Sequence, residues 1–158
     1  MPGKSENDQG PAIIGDRPDN YAGDVTPEEA WRVLSTRPDA VLVDVRTRAE
    51  WSFVGVPDLS DVGKEPVLME WQQFPTMAQN AGFAADLAAM LGTARRGAPG
   101  FFLCRSGARS KAAAIAMSQS GFSNCFNIEG GFEGDLDAAR HRGGRNGWKA
   151  ANLPWVQS

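Results

Sequence analysis

The chain predicts an α/β fold: a doubly wound, mainly parallel central sheet flanked by helices on both faces. Two observations carry this expectation. Residues 40–45 (Ala-Val-Leu-Val-Asp-Val) and 100–103 (Gly-Phe-Phe-Leu) are continuous apolar runs, the pattern of strands buried on both faces. They alternate with helix-patterned stretches, an order that builds parallel sheets. Ligands of such sheets bind beyond the carboxyl ends of the strands, so chemistry is expected in the residues just after a strand.

A chain of 158 residues, 42% hydrophobic, suffices for one packed core. Residues 1–21 are rich in Gly, Pro, Asp and Asn and read as a flexible leader, with only Ile13 and Ile14 suited to local docking; residues 22–158 form the single domain. A net charge of -3 offers no general attraction to nucleic acid or an anionic membrane, and neither is expected as a partner. No run approaches the ~18 apolar residues of a membrane span, and no apolar signal-peptide core opens the chain. A cytoplasmic location is the expectation. Two cysteines, Cys104 and Cys125, suit a reducing compartment and one working thiol.

The elements are taken in chain order. Thr26 can cap a helix with Pro27 at its first position and Glu28 and Glu29 complementing its dipole, ending near Thr36. The strand over 40–45 comes next. Residues 67–71 form a shorter strand, and 77–95 a helix with Phe83, Leu87, Met90 and Leu91 on one face. The third strand, 100–103, runs into a Cys-containing loop, a helix over 110–120, and a strand over 124–128 closed by Gly130 and Gly131. A loop over 135–147 leads to a docked apolar terminus containing Trp148 and Trp155.

Cys104-Arg105-Ser106-Gly107-Ala108-Arg109-Ser110 carries the chemistry. A loop between a strand end and a helix N-terminus turns several N–H groups toward one point, where the helix dipole favours negative charge. With Arg105 and Arg109 adjacent, a cysteine there is expected to be a thiolate nucleophile.

These blocks, taken in order, resemble the rhodanese-like domain. The resemblance spans about residues 25–155. It rests on Leu42-Val43-Asp44-Val45-Arg46-Thr47 with Glu50-Trp51, on the Cys104 loop, on Gly121-Phe122 with Asn127-Ile128-Glu129-Gly130-Gly131-Phe132, and on Gly147-Trp148 with Leu153-Pro154-Trp155. It implies a thiosulfate sulfurtransferase in which Cys104 is the catalytic sulfur carrier. A sulfane sulfur from thiosulfate or a similar small anionic donor forms a persulfide there and passes to cyanide or a thiol, including a protein thiol. No metal or organic cofactor is implied. Arg105 and Arg109, with loop N–H groups from Arg105 to Ser110, suit an anionic donor and a departing sulfite. The alternative is a noncatalytic rhodanese-like module that binds partners or senses sulfide. Phosphatases of the related fold use Cys-x5-Arg, whereas four residues separate Cys104 from Arg109, a cradle better sized for one sulfur than for a phosphoryl group.

The remaining residues are weighed singly. Asp44 and Arg46 are expected to support the site, Asp44 by holding loop amides or an arginine. Ser106 is split between hydrogen bonding to the persulfide and a turn role; for Ser110 a helix-start role is favoured. Cys125 reads as an inert core thiol, with a resolving role the lesser alternative. His141, the only histidine, is expected at the surface, and Arg142, Arg145 and Lys149 as solvated charges rather than a rim gathering donor anions. Phe132 and Trp148 are candidate pocket walls beside their core role. Gly55-Val56-Pro57-Asp58-Leu59 and the longer segment before Trp71 depart from the family's Gly-His-Ile-Pro-Gly-Ala and are expected to alter the pocket wall.

Overall fold

The computed structural model describes residues 10–157. Five parallel strands form the central sheet: β1 (Gly23–Val25), β2 (Val41–Asp44), β4 (Val67–Leu68), β7 (Gly100–Leu103) and β8 (Cys125–Ile128). Their spatial order is β1-β8-β7-β2-β4. The pleat sends alternate side chains to opposite faces, and each face has its own core. Leu42, Phe101, Leu103 and Phe126 pack with helix α1 (Pro27–Thr36) and with Phe132 and Trp148. Val43, Phe102, Cys104 and Cys125 pack on the other side with helices α3 (Phe83–Leu91) and α4 (Ala108–Gln119). The doubly wound sheet expected from the alternation is the fold.

Local chemistry explains the element ends. The Thr26 hydroxyl accepts the Glu29 N–H at 3.1 Å, starting α1 as expected, and Ala30, Val33 and Leu34 bury its inner face. Helix α2 (Arg48–Phe53) opens on a capping box, with Glu50 and Thr47 exchanging side-chain and backbone hydrogen bonds. The expected helix over 77–95 is shorter. Residues 72–79 instead fold into a hairpin, β5 (Gln72–Gln73) and β6 (Ala78–Gln79), around Pro75, whose ring cannot serve a helix interior. Asn80 then closes the turn: its Nδ2 donates to Glu70 O at 2.9 Å and its Oδ1 accepts the Gly82 N–H at 3.2 Å. Met90, expected on the inner face of α3, is 58% exposed.

The expected leader divides. Residues 1–9 lie outside the described residues, whereas the next segment lies against the sheet: Ile14 N–H donates to Asp24 O at 2.8 Å, Ile13 packs on the core, and Tyr21 is buried. The folded unit therefore reaches upstream of residue 22. At the other end, Trp148 in helix α5 (Gly147–Ala150) is fully buried and its indole N–H donates to Pro154 O at 2.7 Å. Strand β9 (Trp155–Val156) pairs antiparallel with β3 (Val56–Pro57). Among the described residues, no helix is long and apolar enough to cross a membrane.

Candidate active site

The central strand β7 delivers Cys104 to the carboxyl edge of the sheet, where the backbone leaves strand geometry. Two glycines make the exit possible. Gly131 (φ +62°) lies so close to the loop that a Cβ would overlap the Cys104 carbonyl oxygen and approach the Arg105 carbonyl to 2.7 Å. That approach lets Phe132 N–H donate to Cys104 O at 2.7 Å, and Glu133 and Gly134 N–H donate to Arg105 O at 3.0 and 3.1 Å. With the carbonyls engaged on that side, Gly107 (φ +123°) turns its own N–H back to donate to Cys104 Sγ at 3.1 Å. Helix α4 starts at the next residue, so its partnerless first-turn N–H groups and dipole lie beside the sulfur.

Ser110 is the second polar neighbour of the sulfur. Its Oγ is 3.2 Å from Cys104 Sγ and 2.6 Å from Asn127 Oδ1, and the residue is wholly buried in the first turn of α4. The hydroxyl also lies 3.2 Å from the Gly107 carbonyl at the start of α4, so Ser110 stands at the helix start and in the sulfur's environment at once. Ser106 lines the same pocket, half-buried, and none of the described side-chain hydrogen bonds involves it.

The two arginines differ. Arg109 donates from Nη1 and Nη2 to Glu50 Oε1 and Oε2 at 2.7 and 2.9 Å, a bidentate pair with both side chains 19% exposed. Burial opposes ionisation of Glu50, but the Arg109 hydrogen bonds and charge, with help from Thr47, outweigh it and hold the carboxyl below its ordinary value. Burial likewise opposes the Arg109 charge, and Glu50 more than restores it, with the Cys104 and Asp44 charges adding in the same sense. Arg109, expected to act alongside Arg105 on an anion, is committed to a wall carboxylate. Arg105 is exposed and forms no ion pair among the described residues, which makes it the uncommitted cation of the loop.

Cys104 itself is 1% exposed and lies at the base of a pocket of about 380 Å³ lined by the loop from Arg105 to Arg109. Glu50 of α2 supplies one wall and the hairpin residues Gln72 and Met77 another. The altered wall expected from residues 55–59 is therefore made by the hairpin; Gly55 instead gives its carbonyl to Arg46 Nη2 at 2.7 Å. Phe132 and Trp148, candidate walls, are fully buried core residues on the far side of the sheet.

Asp44 and Arg46 form a wholly buried pair. Arg46 Nε and Nη2 donate to Asp44 Oδ1 and Oδ2 at 2.9 and 2.7 Å, and the guanidinium lies 4.2 Å from the Phe132 ring centre. This pair fastens the end of β2 to the Gly55 turn. Cys125 sits next to Gly100 in the β7–β8 register, four residues before Cys104. At about 3.3 Å per residue that is roughly 13 Å of strand, far beyond disulfide reach. Burial pushes the Cys125 thiol up to about 12, against a smaller opposing contribution from Ser118. His141 is exposed on the 135–146 loop, and Arg142 donates to Gly134 O at 2.6 Å. Lys149 lies 4.1 Å from the Trp155 ring centre, away from the sulfur pocket. Among the described residues no cluster of three or more His, Cys, Asp or Glu could hold a metal ion.

A parallel five-stranded sheet with a buried cysteine at its carboxyl edge, on a turn into a helix, defines an α/β domain that carries a thiol at the strand-to-helix turn. The family model "Rhodanese-like domain" matches residues 26–138, and the chain belongs to that family, one of sulfurtransferase type. The crystal structure of Rv0390 from M. tuberculosis superposes with a TM-score of 0.79 at 50% identity, covering 87% of this chain and 99% of that one. The polysulfide-sulfur transferase homodimer of Wolinella succinogenes shares the fold at 23% identity and a TM-score of 0.55, covering 85% of this chain and 78% of that one. An uncharacterized protein of Rickettsia conorii, RC0915, is 39% identical over 127 residues, 80% of this chain and 91% of that protein.

Four contributors to the site escape a reading of the sequence. Glu50 is visible as a capping-box residue, three positions after Thr47, but its pairing with Arg109 spans 59 residues and leaves no local trace. Asn127 stands out only as a family mark. Gln72 and Met77 fall outside the elements expected at the site, and the Pro75 and Asn80 turn residues are the available signal of a hairpin.

Proposed function

We propose that this chain is a sulfurtransferase in which Cys104 carries sulfane sulfur as a persulfide, taking it from a small anionic donor such as thiosulfate and passing it to a thiol or cyanide. The observation that carries the reading is the placement of Cys104 Sγ at the base of a pocket, with the Gly107 N–H aimed at it at 3.1 Å and the free cation Arg105 on the pocket wall. In the loading step the Cys104 thiolate attacks the outer sulfur of thiosulfate. The new S–S bond forms as the old one breaks, and sulfite leaves with the bonding pair. Arg105 and the first-turn N–H groups of α4 attract the dianion and stabilise charge on the transferred sulfur. In the second step the acceptor attacks the terminal sulfur and returns Cys104 to the thiolate. Solvent takes the Cys104 proton in a prior equilibrium, so neither step needs a general base, and the exposed His141 has no part in it.

Steady-state production of thiocyanate from thiosulfate and cyanide tests the proposal. Ping-pong kinetics in the wild type, lost in Cys104→Ser, support it. Absent turnover with thiosulfate, polysulfide or a thiol-borne persulfide contradicts it and favours a sulfide-sensing or partner-binding module.

A further inference from the structure

Behind the sulfur runs a chain of polar groups, buried but for the half-buried Asp24, that the sulfur-transfer reading does not use. Ser110 Oγ is 3.2 Å from Cys104 Sγ and 2.6 Å from Asn127 Oδ1; Asn127 Nδ2 donates to Asp24 Oδ1 at 3.1 Å; and the Tyr21 hydroxyl donates to the same oxygen at 2.8 Å. Ser110 is 0% exposed, Asn127 and Tyr21 6%. The direction of each bond is fixed by counting protons. A carboxylate offers none, so Asn127 must turn its NH₂ to Asp24 and its carbonyl oxygen to Ser110. The Ser110 hydroxyl has one proton and three acceptors in reach, Asn127 Oδ1 at 2.6 Å and Gly107 O and Cys104 Sγ each at 3.2 Å, and it goes to the nearest, Asn127. The Ser110 group facing Cys104 Sγ is then a lone pair, which welcomes a thiol S–H and repels a thiolate. Tyr21 keeps the arrangement in place across the neutral range: burial, then Asp24 as acceptor and charge, push its hydroxyl up to about 12, so it remains a donor to Asp24.

We propose that Asn127, oriented by Asp24 and Tyr21, is a positioning residue that withholds the Ser110 proton from Cys104 Sγ and so keeps the thiolate scarce but highly nucleophilic. A sulfur deprived of one hydrogen-bond donor is less stabilised as an anion and more reactive once ionised, since nucleophilicity rises with basicity. In a persulfide the inner sulfur carries no charge, so the Ser110 lone pair no longer opposes it. Asn127 therefore favours the loaded over the empty anionic enzyme. The other charges around the sulfur are Arg105 and Arg109 on its own loop, Glu50 from α2 and Asp44 from β2; on the relay side are Asp24, and Lys111 of α4, 5.8 Å from the Tyr21 ring.

The significance for catalysis rests on Cys104 being the reacting thiol, as proposed above, but not on sulfur being its cargo, so iodoacetamide serves as the probe. Alkylation of Cys104 in the full chain, followed by mass spectrometry against pH, is compared among wild type, Asn127→Ala, Asp24→Ala, Ser110→Ala and the two combinations with Ser110→Ala. Released from Asn127, the hydroxyl proton has Gly107 O and Cys104 Sγ equally near at 3.2 Å, and an ionised sulfur draws the stronger bond, so Asn127→Ala should move the profile to lower pH by about one unit. The alkaline plateau should fall about threefold, from a Brønsted coefficient of roughly 0.4–0.5. Asp24→Ala removes the oxygen, Oδ1, that accepts from both Asn127 Nδ2 and Tyr21, which frees Asn127 to rotate and should shift the profile the same way. In the Ser110→Ala background both shifts should vanish. An unmoved profile in Asn127→Ala and Asp24→Ala overturns the proposal, as does an equal shift with Ser110 absent. If Cys104 resists alkylation in every form, both this role and the reading of Cys104 as the reactive thiol fall; if it reacts and the variants do not differ, only the role of Asn127 falls.

Discussion

Replacing Glu50 by Gln separates the two things this carboxylate does. It completes the cap of α2 with Thr47 and it holds Arg109 through hydrogen bonds of 2.7 and 2.9 Å, in a setting where each side chain is 19% exposed. Gln keeps one acceptor for Arg109 and loses the charge and the second acceptor. A hydrogen bond to a charged group contributes about 1.5–3 kcal/mol, while breaking a fully buried pair costs about 3–5 kcal/mol; a partly buried pair that keeps one bond should lose about 2 kcal/mol. For a domain of this size that lowers Tm by about 4–8 °C. The pH dependence discriminates. Because the carboxyl of Glu50 is held below its ordinary value of 4.5, its stabilising contribution is complete above that value and is lost as pH falls through the folded-state value. Thermal unfolding followed by circular dichroism should therefore show the wild type ahead of Glu50→Gln at pH 7, with the gap narrowing from about pH 4.5 downward as the wild-type carboxyl takes up its proton. A gap of the same size at about pH 3.5 as at pH 7 would refute the ion-pair reasoning and leave only a packing or capping effect.

Other substitutions address the rest of the site. Gly131→Ala forces a methyl group onto the Cys104 and Arg105 carbonyls at a positive φ, so it should destabilise by about 3 kcal/mol or more and abolish thiosulfate turnover; a normal melting curve contradicts the close approach. Arg105→Ala removes the uncommitted cation and should raise the KM for thiosulfate severalfold while flattening its dependence on salt; an unchanged KM removes Arg105 from donor capture. Cys125→Ser should retain thiocyanate production, because Cys125 lies about 13 Å of strand away from Cys104, and a loss equal to that of Cys104→Ser would contradict a one-thiol scheme.

The parts of this fold that can be read from the chain are those whose cause is local. Val41–Asp44, Gly100–Leu103 and Cys125–Ile128 are largely apolar because both faces of each strand are covered, and Thr26 with Pro27 marks the start of α1 by cap chemistry alone. The Cys104 loop is readable because Gly107 and the strand-to-helix change fall within a few residues. What escapes depends on distant partners or on turns. The inner-face pattern of 77–95 takes no account of Pro75 and Asn80, which turn the first residues into a hairpin and set Met77 on the pocket. Arg109 looks like a free cation because Glu50, in another helix, is invisible to a local reading, and Ser110, legible at the helix start, gives no sign of its contact with Asn127 a strand away.

The central claim is that Cys104 accepts a sulfur atom, and intact-protein mass spectrometry after incubation with thiosulfate tests it most directly. A gain of one sulfur, about 32 Da, is expected on the wild type and on Cys125→Ser but not on Cys104→Ser, removed by cyanide with release of thiocyanate. A wild-type mass unchanged by thiosulfate, polysulfide and a persulfidated thiol alike, or an adduct that persists in Cys104→Ser, would contradict it.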